Sequence, residues 1–346
     1  MTTAAPEPGG LVLALETSCD ETAAAVVRDG LFVESSVVSS QVDLHARFGG
    51  VVPEIASRAH VELILPVVVE ALERAGLNIG GPDLPDAVAA TVGPGLIGAL
   101  LVGVSAAKAL ALSWNRPFVG VNHLEGHLYA CLLDDPDLPF PAVVLLVSGG
   151  HTILLEMKGP GDYRILGQTI DDAAGEAFDK VARYLGLGYP GGPLVDKAAE
   201  SGDDRAIAFP RARLDAPGTE LSFSFSGLKT AVVNYVRAHP DVRTEDVAAS
   251  FQRSVVEALL DKALVALEST GAASFCLAGG VAANSLLRSR ATELCAEVGV
   301  RCYLPSRSMC TDNAAMIGAA GWWRLQHDGP TSLGAGADPN LRFPAS

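Results

Sequence analysis

His123 and His127 stand four residues apart in the segment HLEGHLYA. On a helix, that spacing puts both imidazoles on one face about a turn apart, where they can reach a single metal ion. Two packing or surface histidines would look the same in sequence. In the HExxH pattern of zinc proteases the glutamate directly follows the first histidine. Here Glu125 is two residues on and points away from the histidine face, and Gly126 weakens the helix. A metalloendopeptidase is therefore disfavoured. Asp312, in CTDNAAM, sits at an expected helix start, where N-capping alone would account for it.

Four glycine loops come next: VGPGLIG at 92–98, SGGHT at 148–152, YPGGP at 189–193 and AGGVAAN at 278–284. Glycine lets backbone approach a ligand closely, and successive N–H groups can cradle phosphate or carboxylate oxygens. Four in one chain point to a nucleotide-type site. None is a Walker A loop, and no GxGxxG follows the first strand. IDDAAGEAFDK gathers Asp171, Asp172, Glu176 and Asp179, the usual look of an acidic first helical turn. The functional reading has Asp179 pointing into a cleft to bind ligand hydroxyls. ETSCDE, residues 16–21, occupies the first hairpin, where actin-like ATPases carry a phosphate-binding turn.

The elements that must position these residues alternate as in an α/β protein. Apolar runs 11–16 and 23–27 flank the polar loop 17–22, and 31–40 offers a third strand. A long helical pattern covers 53–75, a buried strand 87–91, a helix 99–112 and a strand 118–121. Near residue 142 the pattern restarts, with 143–147 and 152–157 flanking another polar loop. That repeat predicts an internally duplicated protein with a ligand between its halves. A helix over 244–270, a strand 274–278 and a helix 313–326 complete the outline. The chain has 346 residues, 49% hydrophobic and 19% charged, which is a globular composition. Its net charge is −15, concentrated in residues 1–145 with 6 basic against 17 acidic side chains, so unaided tight binding to nucleic acid is disfavoured. The apolar stretch 87–112 is broken by Gly93, Pro94, Gly95 and Lys108, the start has no signal-peptide pattern, and six scattered cysteines suit free thiols. A soluble cytoplasmic protein without a membrane span is the expectation.

Taken in order, LALETSCDETAAAVV, GGVVPEIASR, GPGLIGALLVG, HLEGHLYA, LLVSGGHT, IDDAAGEAFDK, GYPGGP, FSFSGLKTAV, GGVAANSLLR and CTDNAAMIG resemble the block motifs of the bacterial TsaD family, the tRNA N6-adenosine threonylcarbamoyltransferases. The resemblance implies a two-lobed actin-like ATPase fold related to sugar kinases, with a duplicated mixed sheet flanked by helices. On that reading residues 9–122 form an N-terminal lobe, onto which the helix near 313–326 packs back. Residues 123–312 form a C-terminal lobe with the donor or nucleotide site at the cleft, and 331–346 a loose tail. The activity implied is transfer of a threonylcarbamoyl group from threonylcarbamoyl-adenylate to the N6 amine of the adenosine 3′ to the anticodon, position 37, in tRNAs reading ANN codons.

Carried over residue by residue, His123, His127 and Asp312 match the metal ligands, and such a set leaves positions open for substrate. One divalent ion per subunit is implied, Fe2+ first and Zn2+ second. Leu146, Val147, Ser148, Gly149, Gly150, Asp179, Gly192, Asp196 and Asn284 match donor- or nucleotide-binding positions. Leu146 stands where archaeal and eukaryotic relatives have a tyrosine ligand. Glu16 or Asp20 is the expected acceptor of the adenosine amine's proton. The implied partners are tRNA, a smaller TsaB-type paralogue meeting the apolar face of 55–72, and a TsaE-type P-loop ATPase. Arg211, Arg213, Lys229, Arg288, Arg290 and Arg307 are candidates for tRNA phosphates. A small-molecule kinase of the same fold is the main alternative.

Overall fold

A computed structural model describes residues 10–212 and 218–345. Its elements are β1 (Leu11–Glu16), β2 (Glu21–Arg28), β3 (Phe32–Ser40), α1 (Val42–Ala46), α2 (Pro53–Arg74), β4 (Ala87–Gly93), α3 (Ile97–Trp114), β5 (Phe118–Asn122) and α4 (His123–Asp134), followed by β6 (Ala142–Val147), β7 (Thr152–Gly159) and β8 (Asp162–Gln168). The rest are α5 (Ala174–Tyr184), α6 (Gly191–Ala199), α7 (Ser226–Ala238), α8 (Thr244–Thr270), β9 (Ser274–Ala278), α9 (Ser285–Val298), β10 (Arg301–Tyr303), α10 (Arg307–Cys310) and α11 (Ala314–His327).

Two units divide the chain. Unit 1 holds residues 1–44, 51–136 and 312–344; unit 2 holds 45–50, 137–311 and 345–346. The sheet of unit 1 runs β3-β2-β1-β4-β5, and that of unit 2 runs β10-β9-β6-β7-β8. In each, a three-strand antiparallel meander is extended by two parallel strands. The predicted duplication is thus present strand for strand. β1 and β6 lie inside their sheets and are apolar almost end to end, because a strand covered on both faces has no solvent side to mark with polar residues. β3, at an edge, exposes most of its positions.

The expected division after residue 122 moves. α4 packs against α11, and α11 lies on β1, β2, β4 and β5, so the histidine helix and Asp312 both belong to unit 1. The segment expected to be a loose tail also differs. Thr331 N–H donates to Phe118 O (2.8 Å), and Gly120 N–H to Thr331 Oγ1 (2.9 Å), which covers the free edge of β5. Asp338 N–H donates to Val92 O (2.8 Å), Gly95 N–H to Pro339 O (3.2 Å), and Asn122 Nδ2 to Arg342 O (3.0 Å). α3 is long and apolar enough to cross a bilayer by length and composition. One of its faces, with Leu100, Val104 and Ala107, is buried in the unit 1 core beside α2 and β4.

Candidate metal centre

Local capping fixes where the histidine helix begins. Asn122 accepts Leu124 N–H (2.9 Å) and Glu125 N–H (3.3 Å), so His123 is the first residue of α4 and His127 lies one turn further on. Asn313 caps α11 in the same way by accepting Met316 N–H (3.0 Å), and Asp312 precedes it directly. Gly126 does not interrupt α4. A Cβ there would come 2.7 Å from Ile317 Cδ1, so the glycine is what lets α11 approach the histidine helix closely.

Asp312 Oδ1 lies 3.4 Å from His123 Nε2 and 3.3 Å from His127 Nε2. Ligands at 2.0–2.2 Å from one ion, set at tetrahedral or octahedral angles, stand about 2.8–3.6 Å apart. The observed separations fall in that interval, and the donor atoms of all three residues lie within 4.8 Å of one another. His127 is 1% exposed, and neither of its ring nitrogens has a hydrogen-bond partner, the Nε2–Asp312 approach lacking hydrogen-bond geometry. A buried imidazole without partners is costly unless something else ligates it. The three residues therefore fit a divalent ion.

Glu16, wholly buried at the end of β1, stands behind this group. Its Oε2 lies 2.9 Å from His123 Nδ1, Thr91 Oγ1 donates to the same oxygen (2.5 Å), and Ser18 N–H donates to Oε1 (2.5 Å). With Nδ1–H given to Glu16, Nε2 of His123 is left facing Asp312. Burial by itself would lower the pKa of His123, but Asp312 and Glu16 override it and hold it well above its ordinary value. Burial would raise Asp312; His123 and His127 instead keep it far below the carboxylate range. Expected as a proton acceptor, Glu16 has its acceptor positions committed within unit 1. Asp20 is also buried, at 8% exposure. Its neighbour Glu21, expected in the polar loop 17–22, instead opens β2 and is pushed up to about 9 by burial, Asp312 and Asp20. Buried His60 ties the turn to α2, contacting Thr22 Oγ1 (2.7 Å) through Nδ1 and Cys19 O (3.0 Å) through Nε2.

In unit 2 the expected donor residues form two groups. Leu146 and Val147 end β6, and Ser148, Gly149 and Gly150 make the turn to β7, with His151 N–H donating to Ser148 Oγ (3.2 Å). This turn lies against the start of α5 and the residue before the 3-10 turn Gly280–Ala283. A Cβ on Gly175 would meet Ser148 O at 2.5 Å, and one on Gly279 would meet Val147 O at 2.6 Å. Asp179 Oδ1 accepts Gly191 N–H (2.7 Å) and so fixes the start of α6 beside Gly192. Asn284 Nδ2 donates to Asp196 Oδ1 (3.2 Å) and Gln252 Oε1 (2.9 Å), and its Oδ1 caps α9 at Leu287 N–H (2.9 Å). VGPGLIG departs from expectation. Its Gly95 amide is taken by Pro339, and a Cβ there would lie 2.6 Å from Ser18 O, so the glycine serves chain packing.

Residues 32–319 match the profile of the TsaD family, tRNA N6-adenosine threonylcarbamoyltransferase. The chain belongs to that family. It is 56% identical over 326 residues to the tRNA N6-adenosine threonylcarbamoyltransferase of Symbiobacterium thermophilum, covering 92% of this chain and 94% of that protein. It is 55% identical over 336 residues to the enzyme of the same name from Anaeromyxobacter dehalogenans, covering 96% and 99%. Among solved structures, full-length HypF in its phosphate- and nucleotide-bound form aligns with a TM-score of 0.62 at 13% identity, over 94% of this chain and 57% of HypF. That likeness, like the one to the Acidaminococcus fermentans (R)-2-hydroxyglutaryl-CoA dehydratase component A (TM-score 0.52, 13% identity, 92% of this chain and 100% of that one), is one of fold. It agrees with the actin-like class expected for a TsaD family member.

Proposed function

We propose that this chain is the tRNA-modifying transferase of its family, moving a threonylcarbamoyl group from threonylcarbamoyl-adenylate to the N6 amine of adenosine 37 in tRNAs reading ANN codons. The observation that carries this is the family match over residues 32–319, with the His123–His127–Asp312 group inside it. A divalent ion held by those three residues, Fe2+ in the first instance and Zn2+ in the second, would supply Lewis-acid charge for an oxygen of the donor. The donor is a mixed anhydride, already activated, so no side-chain nucleophile is required. Leu146, Val147 and Ser148 with the amides of Gly149 and Gly150 serve as one donor-binding segment, the Ser148 amide being taken by His151 O (2.8 Å), and Asp179, Gly192, Asp196 and Asn284 as the other. Holding the two reactants together is the largest contribution. Glu16 keeps the His123 tautomer fixed, which leaves Asp20 as the acceptor of the adenosine proton.

The reading places the protein in the cytoplasm, away from membranes, with two companions. A TsaB-type paralogue would cover the exposed apolar residues of α2 and α3, where Val61, Leu65, Ile97 and Leu101 are about half exposed or more. A TsaE-type ATPase would act on that pair. The test is transfer of radiolabelled threonine to an unmodified tRNA, with bicarbonate, ATP, the companion proteins and an adenylate-forming synthase. Label that disappears in His123→Ala/His127→Ala supports both activity and metal. Label surviving in that variant removes the metal from the mechanism. No label with every component active returns the chain to the kinase reading.

A further inference from the structure

Helices α5 and α7 of unit 2 border an open groove of about 510 Å³, with Lys180, Arg183, Lys229 and Arg237 on its walls and Tyr184 and Asn234 between them. Among the described residues no carboxylate lines it, in a chain whose net charge is −15. The two lysines are held from behind. Lys180 Nζ lies 2.9 Å from Asp172 and 2.7 Å from Glu176, and Lys229 Nζ lies 2.8 Å from Asp172. Those two carboxylates balance the two lysines. The excess positive charge belongs to the arginines: Arg183 gives a hydrogen bond to Gly49 O, and among the described residues neither Arg183 nor Arg237 has a carboxylate partner.

Of the other cations expected to meet RNA, three are committed elsewhere, and Arg307, exposed at the start of α10, does not line the groove. Arg211 pairs with Asp261 (2.6 Å), Arg290 with Glu293 (2.9 Å), and Arg288 donates to Ala282 O and Pro305 O. Arg213 lies outside the described residues. On α7, residues 229, 233 and 237 recur every four positions and so form one stripe of roughly 12 Å. A single small anion is usually held in a closed nest of amides. An open trough with cations on both walls suits an extended chain of phosphates, for which the guanidinium fork is the matching donor. Tyr184 is 38% exposed and its hydroxyl donates to Val233 O (3.4 Å), so the ring bridges the two helices and offers a face to a sugar or base.

We propose that the α5–α7 groove binds the phosphate backbone of the RNA substrate, with Arg183 and Arg237 making the phosphate contacts. This rests on the tRNA-modifying reading of the chain. The test measures threonine transfer by the complete set of proteins as a function of tRNA and salt concentration, alongside direct filter binding of the tRNA. Arg183→Gln/Arg237→Gln is expected to raise the KM for tRNA about tenfold with kcat within twofold. The slope of log affinity against log salt should become shallower by roughly 1.4–1.8, two phosphates' worth. Asn234→Asp, which leaves the Arg183–Gly49 bond in place, should raise KM in the same direction. Unchanged KM and slope in both variants, with wild-type transfer intact, would overturn the groove. So would unchanged tRNA binding accompanied by loss of a companion protein, since the groove would then dock protein. No transfer by the wild type, with filter binding still weakened by the double substitution, would overturn the activity reading and leave the groove standing.

Discussion

His123 is held from both sides of its ring. One ring nitrogen is committed to Glu16, which turns the other toward Asp312, on the side where His127 approaches the same oxygen. A carboxylate behind a ligating histidine fixes the ring and raises its basicity, and losing such a partner costs 10–100-fold in metal affinity. Glu16→Gln keeps an acceptor for Nδ1–H but removes the charge. Its affinity for Zn2+ or Fe2+, measured by chelator competition, should fall by about that factor while circular dichroism stays unchanged; undiminished affinity would mean that Glu16 serves only packing. The histidine pair was readable in sequence because its members share one helix face. The role of Glu16 was not, because it arises from 107 residues of separation closed by the β1–β4–β5 sheet.

At the scale of elements, α4 and α11 bring the three metal-binding candidates together, and they are locked by the glutamate of HLEGH. Glu125, 1% exposed, takes Arg324 Nε at 3.0 Å and Nη2 at 2.8 Å, one on each carboxylate oxygen. It is therefore engaged by α11, which disposes of any protease-like role for it. Removing one partner of a buried pair leaves a charge without compensation, at a cost of about 3–5 kcal/mol. Arg324→Met should lower stability by that amount in urea titration, and Glu125→Gln/Arg324→Met should recover most of it. Recovery failing in the double variant would show that Arg324 acts through its packing on Trp323 and not through its charge. α11 was legible to within one residue, although its cap is Asn313 and not the expected Asp312; for α4 the histidine spacing suggested a helix without fixing its start, which the Asn122 cap does. α6 was not legible. Its sequence GGPLVDKAA opens with two glycines and a proline, and reads as a loop until Asp179 anchors Gly191. β8 and β10 sit at sheet edges, where partial exposure and, for β10, a length of three residues blur the pattern.

For the molecule as a whole, the same strand order built twice makes the fold class legible in the sequence, while the way the chain closes it is not. The closing segment, 331–343, is poor in apolar residues and rich in glycine and proline, so its composition argues for a free end. What ties it down is chiefly main-chain hydrogen bonding, which leaves no mark in composition: Thr331 on the β5 edge, Asp338 on Val92, Pro339 on Gly95, and Arg342 on the α4 cap Asn122. Lys108 of α3 adds a bond to Ala335 O. At roughly 0.5–1.5 kcal/mol net for each bond, six such bonds contribute on the order of 3–9 kcal/mol. Truncation after Pro330 should therefore cut stability by several kcal/mol and, more specifically, free the amides of Gly120 and Gly95. Hydrogen exchange reads this directly. Both amides should be protected in the full chain and fast in the truncated one, while amides inside β1 stay slow. If Gly120 remained protected after truncation, the strap would not be what covers the β5 edge. The Asn122 bond makes the same truncation informative about the metal group, because freeing the residue that starts α4 should loosen His123 and weaken metal binding along with stability.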